Sequence, residues 1–452
     1  MLRPTRADIR SLLALATPIA TVQVGLMFMG VVDTAMVGRF SAEALAATGA
    51  ANIWFFMVTT IGMGCIAALA PVIAQAYGAH DDLGVTRGVQ RGFVIAVLVT
   101  VVAALAYLTL EPILRLTGQA EEIIPLAGGY MRWTLPGVFP YFGFMVLREM
   151  LQAQGILRPL LVAIVAANLL NALVNWVLIF GHFGFPALGV TGAAVATTVS
   201  RWAMFLGLAL LVRVHLVPRI RPWRAESWHW QPLRRMLMIG LPVGFQILFE
   251  YGVFGGVGLL MGRISAQALA GHQIALNMAA VAFMVPLGIG SAAAVMVGRA
   301  IGAGRPDDAR RGAVAALIIG VSFMALTALV FVTFPVSLSG LYTNDAAVLT
   351  IAATLLPLAG LFQVFDGTQA VALGALRGAG DTRVPVLINL FGYYLIGLPV
   401  SLWLGFRQGL GPPGLWWGLV VGLMVVAVVL VVRVKIRLGR VLTRVVIDAP
   451  GH

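Results

Sequence analysis

Twelve long apolar runs constrain this chain more than any other feature of its sequence. Clusters of Gly, Pro, Arg and Asp separate them, and they fall at about 11–37, 44–77, 92–113, 123–146, 159–180, 190–212, 236–261, 267–298, 312–334, 349–373, 384–405 and 413–432. A helix needs about 20 apolar residues to cross a hydrocarbon layer roughly 30 Å thick. Since 60% of the residues are hydrophobic and 10% are charged, a water-soluble fold has too little interior to bury them. The sequence therefore predicts an all-α polytopic membrane protein with twelve transmembrane helices.

The distribution of basic residues predicts how the chain is oriented. A net charge of +13 is compatible with nucleic-acid binding, but the Lys and Arg residues alternate from loop to loop. One side of the membrane receives only Arg39, Arg115, Arg263 and Arg407, the runs themselves contain Arg132 and Arg201, and the other basic residues lie on the side of the N-terminus. Because basic loops stay in the cytoplasm, we expect both termini there, in a bacterial inner membrane, and no nucleic-acid partner.

An internal repeat divides the chain into two halves. The segment Gly38–Ala47 recurs as Gly262–Gly271, and Pro18 recurs as Pro242, at a common offset of 224 residues. We predict an N-terminal lobe over 1–213, a cytoplasmic connector over 214–235 and a C-terminal lobe with a basic tail over 236–452. Six spans per half make the repeat parallel, so the lobes are expected to be related by a pseudo-two-fold axis along the membrane normal.

Catalytic and nucleotide-binding motifs are missing from the sequence. No H-E-x-x-H, G-x-S-x-G or G-x-x-x-x-G-K-[ST] pattern occurs, so we expect neither an enzyme nor an ATP-driven pump, and no cofactor. Two repeated lobes joined by one connector are typical of secondary transporters that work by alternating access. This layout favours a transporter over a channel or receptor.

Three acidic residues inside the apolar runs are candidate functional groups. Asp33, Glu250 and Asp366 lie where a charge is costly unless it has a partner, a cavity or a proton. The alternative is that each acid simply fastens two helices together. At the repeat positions, Asp33 corresponds to Val257 and Glu250 to Leu26. The two halves therefore share their pattern of helices but not their acidic residues.

Amide and hydroxyl groups in the first half are candidate partners of Asp33. Asn171 and Asn175 are four residues apart and share one helical face, and Thr197 lies in the next run. With Asp33 they are expected to form a polar cluster that binds a hard cation such as Na⁺ or holds a protonated acid. The alternative, in which the asparagines only join helices, stays open.

Several motifs in both halves form a recognisable set: Val32–Arg39, Asn171–Trp176, Leu248–Glu250, Gly271–Asn277, Asp366–Val371 and Leu376–Gly378. Together they resemble the multidrug and toxic compound extrusion (MATE) family of transporters, in its NorM-like branch. They occur in the expected order in both halves, so the resemblance covers nearly the whole chain.

The resemblance implies a V-shaped, two-lobed antiporter that expels small organic cations and amphipathic drugs while H⁺ or Na⁺ flows in, and that acts as a monomer in membrane lipid. It implies a cation-coupling or substrate-binding site at Asp33, Asn171, Asn175 and Thr197, and a second one at Glu250 and Asp366. Na⁺ is the only metal expected, at either cluster. Candidate residues lining the cavity are Phe362, Gln273, Asn277 and Met278.

One departure from the family pattern concerns the second cluster. Where sodium-coupled NorM-like proteins carry a tyrosine four residues before the tenth-span aspartate, this chain has Phe362. The missing hydroxyl favours proton coupling slightly over sodium coupling.

A flippase for a lipid-linked glycan precursor, from the same superfamily, is the alternative function. It requires a strongly cationic cavity, for which the runs offer only Arg132 and Arg201.

Overall fold

The computed structural model describes residues 2–448, and these residues form helices, turns and irregular segments without a β-strand. The helices are α1 (Arg6–Phe40), α2 (Ala42–Ala67), α3 (Leu69–Gly78), α4 (Asp82–Tyr107), α5 (Leu110–Leu116), α6 (Ile123–Thr134), α7 (Val138–Gln154), α8 (Arg158–Phe180), α9 (Val190–Leu211), α10 (Arg213–Ile220), α11 (Trp230–Ile264), α12 (Ala266–Gly302), α13 (Pro306–Thr333), α14 (Pro335–Ser339), α15 (Ala346–Gly378), α16 (Arg383–Leu390), α17 (Leu398–Leu402) and α18 (Pro412–Gly439). The predicted all-α membrane fold is confirmed.

Eleven helical segments between residues 2 and 448 are long and apolar enough to cross a membrane, by length and composition. The fourth predicted run, 123–146, is the exception among the twelve. Its helix is interrupted by a 3₁₀ turn at Leu135–Gly137, which divides it into α6 and α7. Pro136 has no backbone N–H and so cannot continue the α-helical hydrogen-bond ladder.

The helix bounds repeat at the offset seen in the sequence. Helices α1 and α11 both contain 35 residues, and their first and last residues are 224 positions apart. The next helix in each half is capped by a serine, Ser41 or Ser265, whose side chain accepts a hydrogen bond from the backbone N–H three residues later. After α7 and α15 the chain turns at Gly155 (φ 72°) and Gly380 (φ 75°), where a left-handed conformation favours glycine.

The contacts divide the chain into two compact units that are not contiguous in sequence. The C-terminal unit comprises residues 2–20, Gly78–His80 and Phe245–Val445. The N-terminal unit comprises Thr21–Tyr77, Asp81–Gly244 and residues 446–448. The first part of α11 thus packs within the N-terminal unit, although the sequence repeat assigns it to the second half.

Glycine contacts hold the core of the C-terminal unit together. Helices α12 and α15 approach so closely that a Cβ atom on Gly374 would lie 2.0 Å from the carbonyl oxygen of Gly290. One turn later, a Cβ on Gly378 would lie 2.5 Å from the carbonyl oxygen of Ala294. Small residues four apart allow this backbone-to-backbone packing, which dispersion stabilises where the lipid offers no hydrophobic driving force.

The connector and the C-terminal tail pack on α4 within the N-terminal unit. Gln90 donates hydrogen bonds from Nε2 to the backbone oxygens of Arg219 and Pro222, both at 3.1 Å. Arg91, whose side chain is 2% exposed, forms an ion pair with Asp448 in the tail. These contacts fasten two peripheral segments to the body of the unit.

Candidate functional site

A polar cluster lies among the apolar helices of the N-terminal unit, where side chains of α1, α8 and α9 meet. Asn175 donates from Nδ2 to Asp33 Oδ1, and Nδ2 also donates to Asn171 Oδ1 at 3.2 Å. Thr197 Oγ1 lies 3.2 Å from Asp33 Oδ2. The structure therefore brings together the four residues expected in the first half. Their role in coupling stays a prediction.

The polar side chains of this cluster are largely buried, so their oxygen atoms are potential ligands for a cation. Asn171 and Asn175 have no exposed surface and Thr197 is 5% exposed, while Asp33 is half-buried. Asn175 donates both of its amide hydrogens, to Asp33 and to Asn171. Its Oδ1 is buried without a hydrogen-bond partner. Carboxylate and amide oxygens are ligands that hard cations prefer. Residues 2–448 contain no group of three or more His, Cys, Asp or Glu side chains arranged to hold a metal ion.

Asn168 lies two turns before Asn175 on α8 but does not join the cluster. Its Nδ2 donates to the backbone oxygens of Gly25 at 3.1 Å and Ile164 at 2.8 Å. It therefore joins α8 to α1 through main-chain atoms, as amides in membrane helices commonly do.

A second polar cluster lies in the C-terminal unit. Gln369 on α15 donates from Nε2 to Glu250 Oε1 on α11 at 3.2 Å. Tyr393 Oη lies 3.0 Å from Gln369 Oε1 and 3.5 Å from Glu250 Oε1. Asp366 is 7% exposed and interacts electrostatically with Glu250, yet its Oδ1 has no hydrogen-bond partner. The two predicted acids, Asp366 buried and Glu250 half-buried, thus lie in one region with an amide and a phenol.

A π-helical segment, Phe391–Gly397, supplies the phenol. Two consecutive tyrosines in it reach α11: Tyr393 toward Glu250, and Tyr394, whose Oη donates to the backbone oxygen of Phe249 at 3.0 Å. π-Helical turns are rare and frequently mark functional sites. Here the wider turn directs two neighbouring hydroxyls to one stretch of α11.

Gln369 and Tyr393 are members of the candidate site that the sequence did not predict. A signal was available for Gln369, since an amide three residues after Asp366 is unusual inside an apolar run. For Tyr393 the sequence offered no comparable signal, because the apolar run 384–405 shows only two adjacent tyrosines, which are common in membrane helices. Its partner on α11 lies 143 residues away in sequence, so only the folded structure identifies the contact.

The four expected lining residues occupy different environments. Phe362 is 1% exposed and packs edge-on against Phe254 and Trp416, each with ring centroids 5.7 Å apart. Met278 packs against the same hydrophobic core, whereas Gln273 and Asn277 are exposed on α12. Phe362 therefore belongs to an aromatic core next to the second cluster, and it brings no hydroxyl to Asp366.

Comparison with known proteins identifies relatives over nearly the full length. A model of the MatE family matches the chain twice, over residues 18–177 and 242–403. The probable multidrug resistance protein NorM of Mesorhizobium japonicum is 38% identical over 444 residues, covering 95% of this chain and 94% of that protein. The multidrug resistance protein NorM of Burkholderia vietnamiensis is 40% identical over 432 residues, covering 94% and 93% respectively.

Solved structures agree with these sequence matches. The eukaryotic MATE transporter AtDTX14 superposes with a TM-score of 0.86 at 26% identity, covering 95% of this chain and 96% of that one. The Vibrio cholerae MATE transporter VcmN in its bent form gives a TM-score of 0.85 at 22% identity, covering 96% and 97%. The second comparison shows a shared fold.

Proposed function

Because the chain belongs to the MatE family, we propose that it is a multidrug efflux antiporter that exports cationic and amphipathic organic compounds in exchange for inward H⁺ or Na⁺. The observation that carries this proposal is the Asp33 carboxyl, held by Asn175 and Thr197 among apolar helices. An ionisable group inside a membrane-spanning helix costs free energy, and such groups commonly mark an ion or substrate pathway.

Competition for the carboxyls couples the two flows. A deprotonated Asp33 attracts an organic cation, and an arriving H⁺ or Na⁺ neutralises the same carboxylate. Neutralisation removes the attraction that held the cation, which then leaves outward. Alternating access requires this exclusivity, because simultaneous binding of both cations would uncouple the exchange.

The hydrogen-bond pattern around Thr197 supports proton coupling at Asp33. Thr197 Oγ1 lies 2.9 Å from the backbone oxygen of Ala193 and 3.2 Å from Asp33 Oδ2. A hydroxyl has one hydrogen to donate but two lone pairs that accept. When Thr197 donates to Ala193, the contact to Asp33 is satisfied by a proton on the carboxyl. The cluster therefore suits a protonated acid as well as an anion.

The second cluster supports a further neutralisation step. Glu250 and Asp366 interact electrostatically, and two like charges in a low-dielectric region repel strongly. A bound H⁺ or Na⁺ removes that repulsion. With Phe362 packed in the aromatic core, a proton fits this region better than a sodium ion that needs several oxygen ligands.

The membrane potential is sufficient to drive export of a neutral substrate. One charge moving inward through about 100 mV releases about 2.3 kcal/mol. At about 1.4 kcal/mol per tenfold, this supports roughly a fiftyfold gradient of a neutral substrate. Export of a monovalent cation against one such ion is electroneutral, so the ion's concentration gradient alone then drives it.

The alternation of basic loops supports a bacterial inner-membrane location with both termini in the cytoplasm. That orientation places the basic tail and the basic connector on the side from which the substrate is collected. The same connector marks the boundary between the proposed lobes, 1–213 and 236–452.

Transport in proteoliposomes at a fixed membrane potential tests the proposal. Ethidium efflux is measured under an imposed pH gradient and, separately, an imposed Na⁺ gradient, for the wild type and for Asp33→Asn, Glu250→Gln and Asp366→Asn. We expect gradient-dependent efflux in the wild type and a strong loss in Asp33→Asn. Undiminished efflux in all three variants refutes the model, and the gradient that sustains wild-type efflux identifies the coupling ion.

The flippase alternative is less well supported than drug export. Of the two arginines available to a cationic cavity, Arg132 is largely exposed and forms an ion pair with Glu111 at 3.0 Å. Of these two arginines, Arg201 forms no ion pair with an acid of residues 2–448. Binding of an undecaprenyl-linked sugar in preference to ethidium would reverse this ranking.

A further inference from the structure

A cavity of about 410 Å³ lies in the C-terminal unit, away from both polar clusters. Its walls are the end of α12, the turn that follows, the beginning of α13 and the residues from Gly439 to Leu442 at the end of α18. Sites for small molecules commonly have volumes of about 300–1,000 Å³. The lining includes two arginines, Arg310 and Arg440, and no acidic residue. The antiport mechanism gives this basic cavity no role.

The lengths of the helices place the cavity at the level of lipid headgroups. Helices α12, α13 and α18 are all candidate membrane spans. Helices α13 and α18 contain 28 residues each, which corresponds to about 42 Å at a rise of 1.5 Å per residue. A bilayer that includes its headgroups is about 40–45 Å thick. The helix ends that line the cavity therefore lie among headgroups, and the proposed orientation makes these the headgroups of the cytoplasmic leaflet.

Arg310 is held beside the cavity by two hydrogen bonds. Its Nε donates to the backbone oxygen of Leu438 at 2.7 Å, and its Nη1 donates to Asp307 Oδ1 at 3.0 Å. Neither bond uses Nη2. Because a guanidinium presents its five N–H groups in one rigid plane, these two bonds orient the remaining donors before any ligand arrives.

Arg440 gives the cavity a positive charge that no neighbouring acid neutralises. It directly follows α18, is exposed and belongs to none of the ion pairs formed within residues 2–448. Arg433, two turns earlier, is by contrast paired with Asp381 at 2.8 Å. Since Asp307 offsets only the charge of Arg310, the cavity has an excess of positive charge and attracts an anion. Basic pockets between membrane helices on the cytoplasmic side commonly bind acidic lipid headgroups.

The cavity also has an apolar part. Ile301, Val441 and Leu442 belong to its lining, and Val441 is exposed directly after Arg440. A soluble anion uses only the two arginines of this arrangement. A phospholipid uses both parts, because its phosphate faces the guanidinium groups while its chains continue along the apolar surface.

We propose that this cavity binds the phosphate headgroup of an anionic phospholipid, which Arg310 and Arg440 hold at the cytoplasmic end of the C-terminal unit. Guanidinium groups bind phosphate oxygens through short, charge-assisted hydrogen bonds. The headgroup joins the beginning of α13 to the end of α18. The inference goes beyond the proposed export function and takes from it only the orientation of the chain.

Binding of labelled lipids to the purified protein in nonionic detergent tests this site. Phosphatidylglycerol and phosphatidylcholine, each with a fluorophore on one acyl chain, are compared by fluorescence anisotropy. The variants are Arg310→Gln and Arg440→Gln. The matched control is Arg437→Gln, which removes an equal charge from the last turn of α18 but does not line the cavity. Glycerol 3-phosphate, which has the phosphate without acyl chains, is the soluble competitor.

We expect the wild type to bind phosphatidylglycerol more tightly than phosphatidylcholine, whose choline group cancels the phosphate charge. Arg310→Gln and Arg440→Gln should each weaken phosphatidylglycerol binding by about tenfold or more, as loss of a charged hydrogen bond does. Arg437→Gln should weaken it by less than about threefold, because it removes only a longer-range, screened attraction. Phosphatidylglycerol should also raise the unfolding midpoint of the wild type more than that of Arg440→Gln.

Equal losses in Arg440→Gln and Arg437→Gln would overturn the proposal, since the lipid would then respond to the basic surface and not to the cavity. Equal affinity for the two lipids would also overturn it. Glycerol 3-phosphate that binds as tightly as phosphatidylglycerol would contradict the lipid and indicate a site for soluble phosphates. If Arg310→Gln fails to fold, Arg440→Gln decides, because Arg440 has no ion pair to lose. These binding measurements need no ion gradient, so a failure of the proposed antiport leaves their outcome unchanged.

Discussion

Replacement of Asn175 by alanine is the most direct perturbation of the Asp33 cluster. Asn175 uses one Nδ2 hydrogen on Asp33 Oδ1 and the other on Asn171 Oδ1. The substitution removes the donor to Asp33 and leaves the carboxyl itself in place. It therefore weakens the state of the site in which Asp33 is an anion, which in the proposed mechanism is the state that attracts the organic cation.

The expected size of the effect follows from the two states of Asp33. A hydrogen bond to a charged acceptor contributes about 1.5–3 kcal/mol, and one to a neutral acceptor about 0.5–1.5 kcal/mol. The difference, about 1–1.5 kcal/mol, is the loss specific to the anion and corresponds to a roughly 5- to 13-fold weaker affinity for an organic cation. Any water that replaces the amide in the altered site reduces this value.

Ethidium binding to the purified protein, followed by fluorescence polarisation, measures the change. The matched control is Asn168→Ala, which removes an amide from the same helix where it bonds only the backbone oxygens of Gly25 and Ile164. We expect the control to lower the thermal midpoint and to leave the affinity within about twofold, because both carbonyls also serve helical hydrogen bonds. In an Asp33→Asn background, Asn175→Ala should have little further effect.

Three results would refute this reasoning. The first is an unchanged affinity in Asn175→Ala, and the second is an equal loss in the Asn168 control. The third is additivity of Asn175→Ala with Asp33→Asn, which would mean that the amide acts independently of the acid.

Gly374→Ala should destabilise the protein by about 1–3 kcal/mol, since the new Cβ would lie 2.0 Å from a backbone oxygen of α12. Gly256→Ala is the control, because no atom beyond its chain neighbours and the backbone of its own helix lies within 4 Å of the new Cβ, and thermal unfolding in detergent measures both. Asp448→Asn should lower the unfolding midpoint by removing the acid that pairs with buried Arg91, and faster proteolysis of the tail would accompany it. Phe362→Tyr should increase the Na⁺ dependence of efflux by adding an oxygen ligand near the second cluster, and unchanged ion selectivity would show that the missing hydroxyl is irrelevant.

The sequence was sufficient for the features that depend on local composition. Apolar runs of the right length identify membrane helices whatever their neighbours, because the backbone satisfies its own hydrogen bonds in lipid. The repeat was also visible in the sequence, because each copy encodes its own helix. Helices α1 and α11 have equal lengths, and their ends are separated by the same offset that the sequence shows. The interruption at Leu135–Gly137 was missed since apolarity alone does not register the effect of Pro136 on the helical ladder.

The candidate site was predictable to the extent that its residues are rare in their surroundings. Asp33 and the paired asparagines stood out because acids and amides are uncommon in apolar helices. Tyr393 did not, since a tyrosine is ordinary in a membrane helix until its hydroxyl is seen beside Gln369 and Glu250.

The sequence by itself determined the number, length and repetition of the apolar segments. It also identified the few charged and amide side chains that are costly in hydrocarbon without a partner. Only the tertiary structure decided which of those groups meet. It joined Asp33 to Asn175 across 142 positions and Glu250 to Tyr393 across 143, and it surrounded Arg201 with rings instead of an acid. The physical reason is that apolarity is a property of each residue and its near neighbours, whereas a hydrogen bond depends on distances of about 3 Å that helix packing alone sets.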